Sequence, residues 1–198
     1  IFDKSINPDK EKALLRYLDK QNLSLVFEVI DSIADPHIIR YDQKKLVLLD
    51  AVHRDPEFKK VPYHTLKMIG KDLGTEVKEE FRKFTTFDEF EKWLEEKKNV
   101  NPLTVTKDNV TDYLEGYVAE DANGFQFKIK LPYYAFWKWV RSQSELLLNR
   151  KELSNKFVTD PYGSQVAPLL EKVDKKWLKE SSFLDVIDRL QLENPLKK

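Results

Sequence analysis

The pattern of hydrophobic and polar residues changes once along the chain, near residue 131. Before that point, apolar and polar residues alternate over short runs that are typical of strands, with the clearest run at residues 23–30. After it, apolar residues recur every three or four positions from Tyr133 onward, as they do in helices. The pattern predicts an α+β fold, with antiparallel strands and packed helices over residues 1–131 and an all-helical subdomain over residues 132–198.

The strongest local signal is a β-hairpin between residues 113 and 130. Two alternating runs flank a turn that contains Asn-Gly, the dipeptide most typical of tight hairpins. Side chains two positions apart on a strand share a face, so Lys128 and Lys130 are predicted to point the same way while Phe127 and Ile129 pack on the other side. Neighbouring ammonium groups repel each other unless an anion neutralises them, and Glu115 on the opposing strand is the expected acidic neighbour.

Cap, turn and periodicity signals predict the remaining elements. The first elements are a helix from Asn7-Pro8 to about residue 22 and an antiparallel pair of strands at 38–41 and 46–52 around a turn at 42–44. A helix at 63–73 that ends near Gly74 and a charged strand at 76–84 follow. The remaining elements are a helix at 86–98 with a capping box of Thr86 and Glu89, and helices at 133–148, 164–179 and 182–192.

Strand 23–30 carries one carboxylate, Glu28, in an otherwise apolar setting. Burying a carboxylate without a partner is costly, so Glu28 is expected to meet a cation or to accept hydrogen bonds. Arg40 and Lys45 are the candidate partners if the role of Glu28 is purely structural.

Composition narrows the class of protein. The 198 residues include 34 basic and 34 acidic side chains, so a globally basic nucleic-acid binder is not indicated, although a local basic groove is compatible with this balance. There is no cysteine, which excludes disulfides, thiolate metal sites and a thiol nucleophile within these residues. No apolar run resembles a signal or a membrane span, and together these features predict a cytoplasmic protein without a membrane association.

Two short motifs on the hairpin resemble those of a known enzyme family. Glu115-Gly-Tyr-Val and Lys128-Ile-Lys are similar to motifs IV and V of the covalent nucleotidyltransferases, and their short separation resembles RNA ligases of the phage RNA ligase 1 type. Phe27-Glu28-Val29 resembles motif III of that family. The segment around Leu46-Val-Leu-Leu-Asp resembles motif IIIa, which helps to build the base pocket. Here Leu48 and Leu49 stand where many relatives place an aromatic residue, and Tyr41 is an alternative contact for the base.

The resemblance implies a set of residue roles and a reaction. Lys128 and Lys130 would be catalytic residues that bind the α-phosphate of ATP, Glu28 would bind the ribose hydroxyls, and Glu115 would bind Mg²⁺. Residues 1–131 would be the C-terminal portion of the nucleotidyltransferase domain. The implied reaction is ATP-dependent joining of RNA 5′-phosphate and 3′-hydroxyl ends through enzyme-AMP and RNA-adenylate intermediates. The helical tail, weakly similar to the tail associated with tRNA repair in that family, makes a broken tRNA a candidate substrate.

One element of the family pattern is missing from the chain. Covalent nucleotidyltransferases attack ATP with the lysine of a Lys-x-Asp-Gly motif, and the 198 residues contain no Asp-Gly. We expect the chain to be the C-terminal portion of a longer ligase and predict that it does not adenylylate itself. The alternative is a non-catalytic relative that binds a nucleotide or RNA.

The sequence alone also allows a purely structural role for the hairpin residues and for the aromatic residues of the helical tail. Without the resemblance, the hairpin residues would equally suit an exposed hairpin with solvated lysines and an ordinary cross-strand ion pair at Glu115. The aromatic side chains after residue 131 could stack on RNA bases, but their helical spacing favours a role in core packing. These aromatic residues are Tyr133, Tyr134, Phe136, Trp137 and Trp139.

Overall fold

A computed structural model describes residues 8–31, 37–41 and 43–193 and confirms the α+β class. The strands are β1 (Leu23–Ile30), β2 (Lys45–His53), β3 (Glu76–Val77), β4 (Gly116–Glu120) and β5 (Gln126–Lys130). The helices are α1 (Pro8–Leu15), which continues as a π-helical turn (Arg16–Lys20), α2 (Tyr63–Leu73), α3 (Phe87–Lys98), α4 (Pro132–Leu148), α5 (Asn155–Val158), α6 (Gly163–Lys172), α7 (Lys175–Glu180) and α8 (Phe183–Glu193).

The first of two compact units contains residues 1–35 and 41–83. Its sheet has the order β1-β2-β3, with β1 antiparallel and β3 parallel to β2. One face of the sheet packs on α1, its π-helical turn and α2 around a buried apolar cluster, because apolar side chains recur there at strand and helix spacing. The cluster consists of Tyr17, Leu23, Leu48, Ala51, Val61, Leu66, Ile69 and Leu73.

The second unit contains residues 36–40 and 84–198. It holds the two-stranded β4-β5 hairpin, α3 and the helices α4 to α8. Its largest fully buried side chains include Tyr133, Leu131, Trp137, Phe157, Leu170 and Ile187. Of the aromatic residues after residue 131, Tyr133, Phe136 and Trp137 are therefore core residues, while Tyr134 and Trp139 are half-buried.

Local signals in the sequence placed several element ends correctly. Pro8 begins α1, as expected for a residue that lacks an amide hydrogen. Gly74 ends α2 in the left-handed conformation, with φ at 64°. Thr86 caps α3 by accepting a hydrogen bond from the Glu89 amide at 3.3 Å, although the Glu89 carboxylate returns to Thr85 rather than to Thr86. The predicted cap at Asn7 lies outside the described residues.

Three predicted elements are wrong. Residues 37–41 form no strand, and β2 pairs instead with β1 and β3, while Ile38 and Ile39 are buried as part of the second unit. The charged strand at 76–84 is limited to the two residues of β3. The helix predicted at 164–179 is two helices, because Asp174 caps a new one by accepting a hydrogen bond from the Trp177 amide at 2.9 Å.

The predicted boundary at residue 131, between the nucleotidyltransferase portion and the helical subdomain, stays a prediction. Among the described residues, no helix combines the length and apolar character that crossing a membrane requires.

Candidate functional site

The β4-β5 hairpin places its lysines on one side, as predicted. In the antiparallel register Gly116 lies opposite Lys130 and Val118 lies opposite Lys128, and residues directly opposite each other share a face. Gly124 closes the turn with φ at 83°, a conformation that glycine adopts at no steric cost. The hairpin therefore presents two ammonium groups, two positions apart, from the same face of one strand.

Gly116 allows the two strands to approach closely at the base of the hairpin. A Cβ atom at this position would lie 2.0 Å from the carbonyl oxygen of Ile129 and 3.1 Å from the Cα of Lys130. Both neighbours are backbone atoms, so they could not rotate aside. A residue with a side chain would push the strands apart at the point where Glu115 enters β4.

Glu115 and Lys130 form an ion pair at this base, as the sequence predicted. The backbone fixes the position of Glu115 because its carbonyl oxygen accepts a hydrogen bond from the Leu131 amide at 3.2 Å. The Lys130 ammonium also lies 5.0 Å from the centre of the Tyr134 ring, a distance typical of a cation–π contact. The sequence analysis did not assign Tyr134 to this site.

Lys128 differs from Lys130 in its surroundings. Its side chain is exposed, and it makes no hydrogen bond or ion pair with any residue that the structure describes. Its three N–H donors can therefore all bind a ligand. An ammonium group held on a strand edge in this way suits an anion such as a phosphate oxygen.

The opposite face of the hairpin rests on α3 through aromatic pairs. The ring of Phe90 meets Phe127 edge-on at 5.9 Å, and the ring of Trp93 meets Tyr117 at 5.2 Å. The Tyr117 hydroxyl donates a hydrogen bond to the Thr111 carbonyl at 2.7 Å. Burial, and then the nearby carboxylate of Asp112, raise the pKa of Tyr117 to about 12. The aromatic packing fixes the direction in which the lysine face points.

A second buried group supports the start of α4, directly after β5. The Tyr133 ring packs 4.9 Å from the Tyr113 ring, and burial, followed by Tyr113, raises the pKa of Tyr133. The Tyr113 hydroxyl accepts a hydrogen bond from the Arg40 amide at 3.2 Å, and the Arg40 guanidinium binds Asp188 at 2.8 Å. This packing anchors both ends of the segment that carries Glu115 and Lys130.

Glu28 lies in the first unit, on β1 opposite Val47. Its side chain is exposed, so the expectation of a carboxylate in apolar surroundings is wrong. Alternation along β1 places Glu28 on the same face as Val26, away from the core that Leu25 and Phe27 contact. The predicted partners bind other carboxylates, Arg40 pairing with Asp188 and Lys45 with Glu76.

The residues considered for a base pocket are only partly available. Leu48 is completely buried in the core of the first unit, so it is not available to contact a base. Leu49 and Tyr41 are half-buried. The alternation of apolar residues in β2 could not reveal this difference, because the bulge changes the face to which each residue belongs.

Glu115 is compatible with a magnesium ion that is shared with a ligand. No group of three or more histidine or acidic side chains that could hold a metal exists in the described part of the chain. Magnesium, however, is usually held by one or two carboxylates together with water and substrate phosphates rather than by an all-protein cage. The half-exposed carboxylate of Glu115, paired with Lys130, is compatible with that kind of site.

Comparison with known proteins identifies a protein family that contains this hairpin. A family model described as RNA ligase, of the phage T4 RNA ligase 1 type, matches residues 2–134. The match covers 133 of the 198 residues and includes Glu28 and the whole β4-β5 hairpin. No curated protein matches the chain.

Proposed function

The chain belongs to the RNA ligase family of the phage T4 RNA ligase 1 type, and from that premise we propose that it is part of an ATP-dependent RNA ligase. Such an enzyme joins a 5′-phosphate to a 3′-hydroxyl. Its active-site lysine attacks the α-phosphorus of ATP with loss of pyrophosphate, and AMP then passes to the RNA 5′-phosphate. The 3′-hydroxyl finally attacks that phosphate, and AMP leaves.

One observation carries the proposal: a single hairpin holds a carboxylate and two lysines at its base and on one face. Lys128 and Lys130 are proposed to bind the α-phosphate, where negative charge develops on the non-bridging oxygens during transfer. Fixed ammonium groups stabilise that charge without reorganisation, and the aromatic packing against α3 fixes them. Glu28, exposed on β1, is proposed to accept hydrogen bonds from the ribose hydroxyls.

Glu115 is the proposed magnesium ligand. A bound magnesium ion would supply charge neutralisation at the phosphate oxygens. Glu115 holds Lys130 in the structure, so the same carboxylate orients one of the two phosphate-binding side chains. Gly116 keeps this pair together by permitting the close approach of the strands.

The nucleophilic lysine is proposed to come from residues other than these 198, because the chain contains no Lys-x-Asp-Gly motif. The same observation favours a second candidate function, a non-catalytic relative that binds a nucleotide or RNA. The proposed location of the protein is the cytoplasm, and the proposed substrate of the catalytic form is RNA with 5′-phosphate and 3′-hydroxyl ends, with tRNA as a candidate.

Calorimetric titration with ATP and Mg²⁺ tests the nucleotide site. A charged hydrogen bond contributes about 1.5 to 3 kcal/mol, so Lys128→Ala is expected to weaken ATP binding by roughly 10- to 100-fold. Glu115→Gln should weaken binding more in the presence of magnesium than in its absence. Lys176→Ala, which removes an exposed lysine on α7, is the control and should bind ATP like the wild type. Unchanged binding in Lys128→Ala would contradict the proposal.

A second assay separates the two candidate functions. RNA that already carries a 5′-adenylate does not require the nucleophilic lysine, so the chain can be offered this RNA with a 3′-hydroxyl acceptor. Sealing with release of AMP would support the ligase. ATP binding without sealing would support the non-catalytic relative.

A further inference from the structure

The sheet of the first unit has one face away from its apolar core. Paired residues share a face, so Leu25 with Ala51 and Phe27 with Leu48 line the core side. The other side carries three pairs, Val26 with Asp50, Glu28 with Val47, and Val47 with Glu76 of β3. Leu49 has no partner on β1 and forms a β-bulge in β2. Because of this extra residue, Val47 and Asp50 lie on the same face although they are three positions apart.

Two lysines meet Asp50 on this open face. The Lys78 ammonium lies 3.1 Å and the Lys60 ammonium 3.5 Å from the same carboxylate oxygen. The Asp50 side chain is only 14% exposed, whereas those of Lys60 and Lys78 are 28% and 32% exposed. The carboxylate therefore lies beneath the two ammonium groups and holds them at the surface of the sheet.

The backbone also fixes these lysines. The Lys78 amide donates a hydrogen bond to the Leu48 carbonyl at 2.9 Å, directly after β3, and the Lys78 carbonyl accepts one from the Tyr63 hydroxyl at 2.8 Å. Lys60 pairs with Val52 of β2 in an isolated bridge. Flexible surface lysines lose side-chain entropy when they bind a ligand, and restraint at the backbone and at Asp50 reduces that cost.

The face has the layout that a nucleotide requires. Glu28 lies at β1, Val26 and Val47 form an apolar floor, Glu76 of β3 is neutralised by its ion pair with Lys45, and Lys78 follows β3. With strands about 4.8 Å apart and a rise of about 3.3 Å per residue, the Cα atoms of Glu28 and Lys78 are roughly 12 Å apart. A nucleoside polyphosphate can bridge that separation with its ribose at Glu28. Lys78 uses one described ion pair, with Asp50, and an ammonium group has three N–H donors.

We propose that Lys78, positioned by Asp50, binds the polyphosphate of a nucleotide whose ribose lies at Glu28. Neither the family motifs nor the hairpin site assigns a role to Lys60 or Lys78, and Asp50 belongs to the motif IIIa segment without a role of its own. The identity of the ligand rests on the proposed function, whereas the ability of this face to bind polyphosphate rests on its own geometry.

Binding of three probes to the full chain tests the proposal: ATP, inorganic tripolyphosphate and adenosine. Lys78→Gln keeps a hydrogen-bond donor for Asp50 but removes the positive charge. Circular dichroism is the control that tests whether this variant is folded. We expect Lys78→Gln to weaken ATP and tripolyphosphate binding at least fivefold and to leave adenosine binding unchanged. Lys78→Arg should retain most of the affinity. Lys59→Gln, which changes the exposed neighbour of Lys60, is the matched control and should behave like the wild type.

Several results would overturn the inference. These are wild-type affinity for ATP in Lys78→Gln, equal weakening of adenosine binding, or no binding of tripolyphosphate by the wild type. The hairpin variants distinguish this failure from that of the proposed function. Dependence of tripolyphosphate binding on Lys78, with no effect of Lys128→Ala on ATP binding, would retain the inference and refute the proposed function. The reverse pattern would refute the inference alone.

Discussion

Gly116→Ala is the most informative perturbation of the candidate site. The new methyl group would lie 2.0 Å from the Ile129 carbonyl oxygen and 2.9 Å from the carbonyl carbon. Side-chain carbons in proteins essentially never approach closer than 3.0 Å. The two strands must therefore separate by about 1 Å at the base of the hairpin, since neither backbone atom can rotate away.

The free-energy cost of separating the strands has two main sources, the overpacked methyl group and a weakened backbone hydrogen bond. Forcing a methyl group into a packed site typically costs about 1 to 3 kcal/mol, and a weakened ladder hydrogen bond adds about 1 kcal/mol. The exposed ion pair of Glu115 and Lys130 adds little. We expect the hairpin to be destabilised by about 2 to 4 kcal/mol, which corresponds to a roughly 30- to 1,000-fold larger fraction of open hairpin.

Hydrogen exchange of the amides of β4 and β5 measures this opening locally, which matters because the chain contains two compact units. Gly124→Ala is the matched control. A Cβ atom there meets nothing within 4 Å, so its only penalty is the positive φ of 83°, about 1 to 2 kcal/mol. Gly116→Ala should also weaken ATP binding, whereas Gly124→Ala should not. The reasoning is refuted if the hairpin exchanges no faster in Gly116→Ala than in Gly124→Ala and ATP binding is the same in both.

Three further predictions address the charge and chemistry of the same region. Lys130→Ala should change the free energy of unfolding by less than about 1 kcal/mol, because both partners of its ion pair are about 40% exposed. Calorimetry should show at least tenfold weaker ATP binding for this variant. A large loss of stability would instead indicate that the pair is structural. Incubation with labelled ATP and Mg²⁺ should leave no covalent AMP on the chain, and a stable lysine adduct would contradict the placement of the nucleophile. Tyr117 should ionise near pH 12, so the difference in absorbance at high pH between wild type and Tyr117→Phe should follow that pKa. Because the unfolded chain loses this proton near pH 10, stability should fall as the pH rises from about 10 to 12, and a midpoint near 10 in the folded protein would exclude the raised value.

The correctly predicted parts of the fold depend on local signals. The Asn-Gly turn, the alternation on either side of it and the capping threonine of α3 each act over a few residues, so they can be read without knowledge of the rest of the chain. The pairing of Glu115 with Lys130 followed from the same hairpin. Family motifs added the chemical role of these side chains, which periodicity alone does not supply.

The errors concern pairing between distant segments. Residues 38–41 resemble a strand because a short apolar run suits both a strand and a buried loop, and tertiary packing made it the latter. The exposure of Glu28 depends on which face of β1 packs on the helices, and the apolar residues on both sides of Glu28 in the sequence did not reveal that face. The cluster of Lys60, Lys78 and Asp50 likewise depends on β3 joining β2 in parallel, although the alternation in the Glu76-Val-Lys78 segment was a usable sign that Lys78 faces away from the core.

The ion pair at the base of the hairpin is compatible with both a structural and a catalytic role, and the two roles differ in the magnitudes they predict. An exposed pair contributes about 0.2 to 1 kcal/mol, whereas a hydrogen bond from lysine to phosphate contributes about 1.5 to 3 kcal/mol. In the proposed catalytic role, phosphate replaces Glu115 as the partner of Lys130, and the carboxylate is then available for a magnesium ion. Stability alone would not require an exposed second lysine, Lys128, on the same face, since like charges placed there repel each other. Binding a multiply charged anion accounts for both lysines, and a structural ion pair accounts for only one.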